Sequence, residues 1–207
     1  MTKTPIQLAI FARAPIAGKC KTRLIPALGA EGAAQLHATL VEQTVKTALA
    51  VPHAEVTLWT VEEPCHTFFQ RLAADYPSLR WQLQPEGDLG ERMNHVFMTQ
   101  QQPTLLMGSD CPAFTPDLLQ HYAYLLTQHP VVFVPAEDGG YVLVGLQTPC
   151  PQIFEPMEWG TAEVMQQTRQ RLQQMQIDWV EAESLWDIDR PEDLNRLTVS
   201  SNSLHSA

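Results

Sequence analysis

Basic residues are scarce in this chain. Its 13 Lys and Arg stand against 23 Asp and Glu, which gives a formal net charge of −10 over 207 residues. A protein that binds nucleic acid through its general surface needs the opposite balance, because phosphate backbones are recognised by positive charge. The composition therefore argues against nucleic acid as a partner.

Cysteines and long apolar runs are also in short supply. No run approaches the roughly 20 apolar residues of a membrane-spanning helix, so no membrane span is expected. The four cysteines lie far apart, without a CxxC pair or a Cys/His cluster. This spacing favours reduced thiols in the cytoplasm over a disulfide framework or a zinc site. They are Cys20, Cys65, Cys111 and Cys150.

The first 14 residues, MTKTPIQLAIFARA, have the elements of a weak signal peptide: a lysine, a short apolar run and an A-x-A ending. The apolar run covers only residues 6–12, and an Arg and a Pro stand where small residues should follow the cleavage site. A buried first strand is the preferred interpretation.

Apolar segments alternate with segments of helical periodicity along the chain, which predicts βαβ units on a mostly parallel sheet. With 44% hydrophobic residues, the chain can build one core. We predict a three-layer α/β/α sandwich with a mixed sheet, forming one domain over residues 1–199, and a disordered tail over 200–207. The predicted strands are 6–12, 55–61, 79–84, 103–108, 131–136 and 141–146. The predicted helices are 31–50, 65–75, 89–101, 116–128 and 161–174, with a further helix start at RPEDL (190–194).

The few basic residues are unevenly placed. The first acidic residue is Glu31, and five of the 13 basic residues precede it, leaving 8 basic and 23 acidic residues for the rest of the chain. A basic segment directly after an apolar strand lies where α/β proteins place their ligand loops, and its field attracts anions. The five are Lys3, Arg13, Lys19, Lys21 and Arg23.

The segment FARAPIAGKCKTRL (11–24) lacks both the P-loop pattern and GxGxxG. Gly18 would allow close approach of the backbone to a ligand. In an extended segment Lys19, Lys21 and Arg23 would share one side and converge on one anion, for which a diphosphate is the natural partner. The alternative is that these side chains form ordinary surface salt bridges.

Two segments offer carboxylates for a divalent metal. In TLLMGSDCP (104–112), Asp110 follows a predicted strand directly, where it could bind Mg²⁺ or Mn²⁺ next to substrate phosphates, or could simply cap a turn. In WDIDRPEDL (186–194), Asp187 and Asp189 precede the last predicted helix, which either could cap. Asp110 together with one of the latter pair would form a two-carboxylate site.

Three further segments have open interpretations. EGDLGERM (86–93) could bind a phosphate, a base edge or a sugar at a helix start, or Asp88 could be a plain N-cap. EDGGYVLVGL (137–146) is typical of a hairpin, yet its Asp and Gly residues could also meet a sugar. In WGTAEV (159–164), Trp159 could stack on a sugar, although a place in the core is favoured, and Thr161 is a candidate helix cap.

The same segments, in this order, resemble a bacterial family of small glycosyltransferase-like proteins over roughly residues 6–197. The family has the GT-A fold of nucleotide-diphospho-sugar transferases and includes arsenosugar-biosynthesis-type members. It is similar to the guanylyltransferases of molybdenum-cofactor and F420 biosynthesis. One departure is Ser109-Asp110-Cys111, which leaves a single carboxylate where many GT-A enzymes have a DxD triplet.

The resemblance implies roles for individual residues. It implies metal binding by Asp110 and Asp189, with Asp187 as the substitute for the second. It implies a catalytic group of Lys19, Lys21, Arg23, Asp110 and Asp138. Nucleotide binding is implied for Ala12, Arg13, Gly18, Lys19, Lys21, Arg23, Asp88, Leu89, Gly90, Arg92 and Ser109. Sugar or acceptor binding is implied for Asp138, Gly139, Gly140, Trp159 and Thr161.

The implied activity is metal-assisted transfer of a sugar from a nucleotide-diphospho-sugar to a small-molecule acceptor. Asp138 is the candidate general base. Two alternatives stay open: a nucleotidyltransferase that joins a nucleoside triphosphate to a phosphorylated acceptor, and a non-catalytic protein that binds nucleotides or sugars. Because one fold hosts several chemistries, the fold does not choose among them. A homodimer is one assembly to be tested.

Overall fold

The computed structural model describes residues 6–61, 66–100 and 102–197. Every predicted strand is present, with ends that differ by one residue or none from the prediction. A seventh strand, of two residues, is too short for a periodic pattern to reveal. The strands are β1 (Ile6–Ala12), β2 (Ala54–Thr60), β3 (Arg80–Leu83), β4 (Thr104–Gly108), β5 (Val131–Pro135), β6 (Tyr141–Leu146) and β7 (Val180–Glu181).

The five predicted helices are present as well. α1 begins six residues before its predicted start, with a kink at Gly29, whose φ of +71° interrupts the helical backbone. Near the C-terminus, RPEDL forms a 3₁₀ turn, Pro191–Asp193, that continues into a short helical segment over 194–197. The helices are α1 (Ile25–Leu49), α2 (Thr67–Asp75), α3 (Leu89–Gln100), α4 (Pro116–Gln128) and α5 (Val164–Met175).

The seven strands form one sheet in the order β3-β2-β1-β4-β6-β5-β7. β6 runs antiparallel to both of its neighbours, and the other strand pairs are parallel. The sheet is therefore mixed and mostly parallel, which confirms the predicted fold class.

Alternating side chains of β1 show how the sheet separates two helical layers. Leu8 and Ile10 belong to the core shared with α1, α2 and α4, whereas Ala9 belongs to the core shared with α3 and α5. This alternation is the period-2 geometry of a strand that is buried on both faces. The result is the predicted α/β/α sandwich.

The direction of the chain reverses between β1 and β4. From β1 it continues to β2 on one side, whereas from β4 it continues to β5 and β6 on the other. In open α/β sheets ligands bind outside the carboxyl ends of the strands at such a switch point. The candidate segments after β1 and after β4 lie at this edge, because both strands end there. The segment before β6 lies at the same edge, because β6 runs antiparallel and begins where the others end.

Within the part of the chain that the structure describes, no helix has the length and apolar character needed to cross a membrane. Cys20, Cys111 and Cys150 are buried free thiols. Cys65 and the predicted tail over 200–207 lie outside the described residues.

Candidate functional site

A cleft of about 620 Å³ lies at the switch-point edge of the sheet, a volume in the range of small-molecule sites. The loops after β1, β4 and β5, the start of α3 and residues 159–161 form its walls. Most predicted site residues line it: Ala12, Arg13, Lys19, Lys21, Arg23, Leu89, Arg92, Ser109, Asp110, Asp138, Gly140, Trp159, Thr161 and Asp189, together with Asp187.

Lys21 is turned inward. Its backbone is left-handed (φ +49°) and a 3₁₀ turn follows at Thr22, so the predicted extended segment with three cations on one side is wrong. The Nζ of Lys21 lies 2.9 Å from Oδ2 of Asp110 and donates to the carbonyl of Ile188, and only 4% of its side chain is exposed. Lys19 and Arg23 remain exposed at the cleft.

Asp110 stands directly after β4, with 43% of its side chain exposed. Its Oδ1 is enclosed and 3.7 Å from Nδ1 of His37, too far for a hydrogen bond. Burial opposes ionisation of Asp110, but the neighbouring imidazole and the charge of Lys21 outweigh it and hold the pKa of this carboxyl below its ordinary value. Asp110 is therefore an anion at neutral pH.

His37 was not predicted as a site residue. It is buried on α1, and its Nε2 lies 3.1 Å from the carbonyl of Arg13. The imidazole thus joins α1 to the first loop beside Asp110. A single histidine inside a helical segment gives no sequence signal, because only the fold brings it to the strand end.

Asp189 pairs with Arg23 at the exposed rim of the cleft. The carboxylate of Asp193 accepts hydrogen bonds from the backbone N–H groups of Asp189 and Arg190, at 3.0 and 2.7 Å. Neither Asp187 nor Asp189 caps the final helical segment, so that alternative is wrong. The predicted metal pair is also not assembled as two free carboxylates, because Asp110 and Asp189 each contact a cation.

Asp187 is the more unusual carboxylate. Burial, together with the negative charges of Asp138 and Asp110, raises its pKa to about 6. A divalent cation would relieve the repulsion between negative charges that face one cleft. Among the described residues no three Asp, Glu, His or Cys side chains gather closely enough to hold a metal alone. Mg²⁺ needs few protein ligands when substrate phosphates complete its shell.

At the start of α3, Asp88 and Glu91 form a capping box. The N–H of Glu91 donates to Asp88 and the N–H of Asp88 donates to Glu91, both at 2.8 Å. Asp88 is therefore the N-cap of α3, as the alternative interpretation held, and it lies outside the walls of the cleft. Gly90 also lies outside: a Cβ there would come within 2.5 Å of Trp159. Trp159 packs against the core and lines the cleft at once.

The β5–β6 connection is the predicted hairpin, and it also reaches the cleft. Asp138 accepts a hydrogen bond from the N–H of Gly140 at 3.1 Å, and both line the cleft. Gly139 packs tightly on the backbone of Ala162 and does not line the cleft. Thr161 does line it, but its hydroxyl donates to Glu158, so its predicted role as a helix cap is wrong.

Gly18, in the first loop, does not line the cleft either. Its φ is +80°, and a Cβ there would meet nothing within 4 Å. The glycine therefore serves the left-handed turn rather than close approach to a ligand.

The fold and this cleft define a class of protein. The chain superposes on a "putative nucleotide-diphospho-sugar transferase" from Desulfovibrio desulfuricans G20 with a TM-score of 0.84 and 29% identity, covering 94% of this chain and 87% of the other. It has the nucleotide-diphospho-sugar transferase fold. A family model for an uncharacterized protein conserved in bacteria (DUF2064) matches residues 44–161, and the chain belongs to that family.

More distant solved structures share the fold alone. The 4-diphosphocytidyl-2C-methyl-D-erythritol synthase of Anaerococcus prevotii matches with a TM-score of 0.64 and 12% identity, over 96% of this chain and 97% of the other. A CMP:2-keto-3-deoxy-manno-octonic acid synthetase complexed with CTP matches with a TM-score of 0.61 and 10% identity, over 96% and 99%. No curated protein sequence matches significantly.

Proposed function

We propose that the protein is a transferase that moves a sugar from a nucleotide-diphospho-sugar to a small-molecule acceptor in the cytoplasm. The main support for this proposal is the cleft at the β1–β4 switch point, where exposed cations of the first loop and the ionised Asp110 line the same space. This arrangement suits a diphosphate that leaves as negative charge develops on it. The likeness to the Desulfovibrio protein supports the same class of donor.

Lys19 and Arg23 are the groups assigned to the diphosphate. Both are exposed at the cleft, and in the described parts of the chain Arg23 pairs with the partly exposed carboxylate of Asp189. The Arg23–Asp189 pair is weak in water, so a diphosphate can replace the carboxylate. Lys21, by contrast, is enclosed and fixes Asp110 and the first loop in place.

A divalent cation fits the carboxylates of this cleft. Asp110 and Asp187 are the residues that would hold Mg²⁺ or Mn²⁺, with Asp187 in place of the predicted Asp189, because Asp187 is the carboxylate that shares a repulsive field with Asp110. When bound, such an ion supplies positive charge to the leaving diphosphate.

Asp138 is the proposed general base. It lies on the hairpin loop at the cleft and is oriented by the N–H of Gly140. In the proposed step the acceptor oxygen attacks the anomeric carbon, the bond from that carbon to the diphosphate oxygen breaks, and the acceptor proton passes to Asp138. The nucleoside diphosphate leaves with the bonding electrons. A base in this position needs only hydrogen-bond reach to the acceptor hydroxyl.

Nucleotidyl transfer is the second candidate. The chain shares its fold with a synthetase whose structure is a complex with CTP and with a 4-diphosphocytidyl-2C-methyl-D-erythritol synthase, which supports a nucleoside triphosphate as donor. In that case the same cations would bind the triphosphate and pyrophosphate would leave. A non-catalytic nucleotide-binding protein is the third candidate.

Product analysis separates these candidates. Purified protein with Mg²⁺ or Mn²⁺ is incubated with UDP-, GDP-, CDP- or dTDP-sugars, or with the matching triphosphates, together with a pool of small-molecule acceptors. Release of nucleoside diphosphate that Asp110→Asn abolishes supports glycosyl transfer. Release of pyrophosphate from a triphosphate supports nucleotidyl transfer instead, and tight binding without any turnover supports the non-catalytic candidate.

A further inference from the structure

One wall of the cleft carries a cation that the proposed reaction has not used. Leu89, Arg92 and Met93 lie at helical spacing on α3 and all line the cleft. Arg92 is half-buried, and its Nε is enclosed without a hydrogen-bond acceptor in the described parts of the chain. Since Arg stays charged at every physiological pH, this wall holds a permanent positive charge.

The other cations of the cleft are placed differently. Lys21 is paired with Asp110, and Arg23 with Asp189. Lys19 and Arg13 are exposed, so water can solvate their charges. Arg92 combines partial burial with the lack of a carboxylate partner among the residues that the structure describes. A guanidinium in that position gains more than the others from an anion brought by a ligand.

Trp159 gives a second observation on the same wall. Its Nε1 is also enclosed and has no acceptor within the described ranges, although its ring lines the cleft. Trp159 packs over Gly90 at the start of α3, so the ring and the helix form one continuous wall. Because both of these N–H groups are enclosed, a ligand in the cleft would meet the terminal nitrogens of the Arg92 guanidinium, which are not enclosed, and the ring of Trp159.

The layers of the fold separate this wall from the diphosphate site. The first loop leads into α1, which packs on one face of the sheet, whereas α3 packs on the opposite face. Lys19 and Arg23 therefore approach the cleft from one side, and Arg92 and Trp159 from the other. A diphosphate held by the first loop leaves Arg92 available for another group.

We propose that Arg92, on the wall that it shares with the ring of Trp159, binds a second anion, a carboxylate or phosphate carried by a substrate in addition to the diphosphate. This rests on the proposed function and narrows it, because one of the two substrates must then be acidic. The anion could belong to the acceptor or to an acidic donor sugar. In either case a guanidinium can bind two oxygens of the planar carboxylate or the tetrahedral phosphate in bidentate fashion.

Calorimetry on the full chain tests the second site directly. UDP, GDP, CDP and dTDP are first titrated with Mg²⁺, and the diphosphate that binds is kept saturating while inorganic phosphate or acetate is added. We expect one of these anions to bind the wild type together with the diphosphate. Arg92→Gln should weaken that binding at least tenfold, Arg92→Lys less, and Arg71→Gln, an exposed helical arginine outside the cleft, should leave it unchanged.

The source of the anion is resolved by a matched pair of donors. If the sugar carries it, the nucleotide-linked glucuronate binds more tightly than the nucleotide-linked glucose, and Arg92→Gln removes the difference. If the acceptor carries it, the two donors bind alike. Circular dichroism melting of each variant confirms that it is folded.

Other results would overturn the inference. Phosphate that displaces the diphosphate, or that binds Arg92→Gln as well as the wild type, would show that Arg92 does not form a second site; so would the binding of neither phosphate nor acetate. If no diphosphate binds, the proposed function fails, and phosphate is then titrated onto the free protein. Loss of that binding in Arg92→Gln but not in Lys19→Ala would still support the anion site.

Discussion

The Nζ of Lys21 lies 2.9 Å from Oδ2 of Asp110, and this ion pair joins the first loop to the end of β4. The two partners differ in exposure: 4% of the Lys21 side chain is accessible, against 43% of Asp110. Removing Asp110 leaves a buried ammonium without its counter-charge, whereas removing Lys21 leaves a partly exposed carboxylate. The two losses of folding free energy should therefore differ.

Asp110→Asn should destabilise the fold more than Lys21→Met does. The first change leaves a buried ammonium without a negative counter-charge, which costs about 3 kcal/mol. The second leaves a carboxylate that water can reach and should cost about 1 kcal/mol. Urea unfolding measures both free energies, and equal losses would show that the enclosure of Lys21 is not what matters.

The titration of Asp187 should make stability fall as pH rises from about 4 to 6. Its pKa is about 6 in the folded chain against an ordinary 3.8, so the folded state keeps a proton that the unfolded state has lost. The loss should be about 2 kcal/mol, since one pKa unit corresponds to about 1.4 kcal/mol and the half-buried site is partly screened. This loss of stability is complete above pH 6, where Asp187 is ionised in the folded state as well.

Urea unfolding between pH 4 and 7 in EDTA measures this dependence. Asp187→Asn should remove this component and be more stable than the wild type at pH 7. Asp189→Asn is the control that should keep it. A pH profile that Asp187→Asn leaves unchanged would contradict the assignment.

Lys19→Ala and Arg23→Ala should each weaken the binding of nucleoside diphosphate about tenfold, which is the worth of one charge-assisted contact. Both residues are exposed, so the free energy of unfolding should change by less than about 0.5 kcal/mol. Calorimetry at 50 and 200 mM salt measures the affinity, and the wild type should show the steeper salt dependence. Affinity equal to the wild type in both variants would remove the diphosphate from the first loop.

Gly90→Ala should lower the free energy of unfolding by about 1–3 kcal/mol. Its Cβ would lie 2.5 Å from Cζ2 of Trp159 and 2.6 Å from the carbonyl of Phe154, so the ring must move. Gly108→Ala is the matched control, because a Cβ there meets nothing within 4 Å. The change is measured by urea unfolding and by tryptophan fluorescence. An unchanged spectrum would mean that Trp159 is not held against α3.

The succession of strands and helices can be predicted from the sequence, because a strand buried on both faces must be apolar throughout and a helix repeats every 3.6 residues. It also located the segments of the cleft, since ligand loops follow the strands of an α/β sheet. The capping box at Asp88 was accessible too, because both of its partners are neighbours in the chain.

Which of those residues contact one another depends on how the elements pack in three dimensions. Lys21 turns inward to Asp110, Gly90 makes room for Trp159, and His37 arrives from the middle of α1. Each of these relationships joins residues far apart in sequence, and it depends on packing distances of a few ångströms that no local pattern encodes. The proposal that Asp187 and not Asp189 would be the second metal ligand also depends on the fold, because a carboxyl's pKa is set by the charges and burial that the fold places around it.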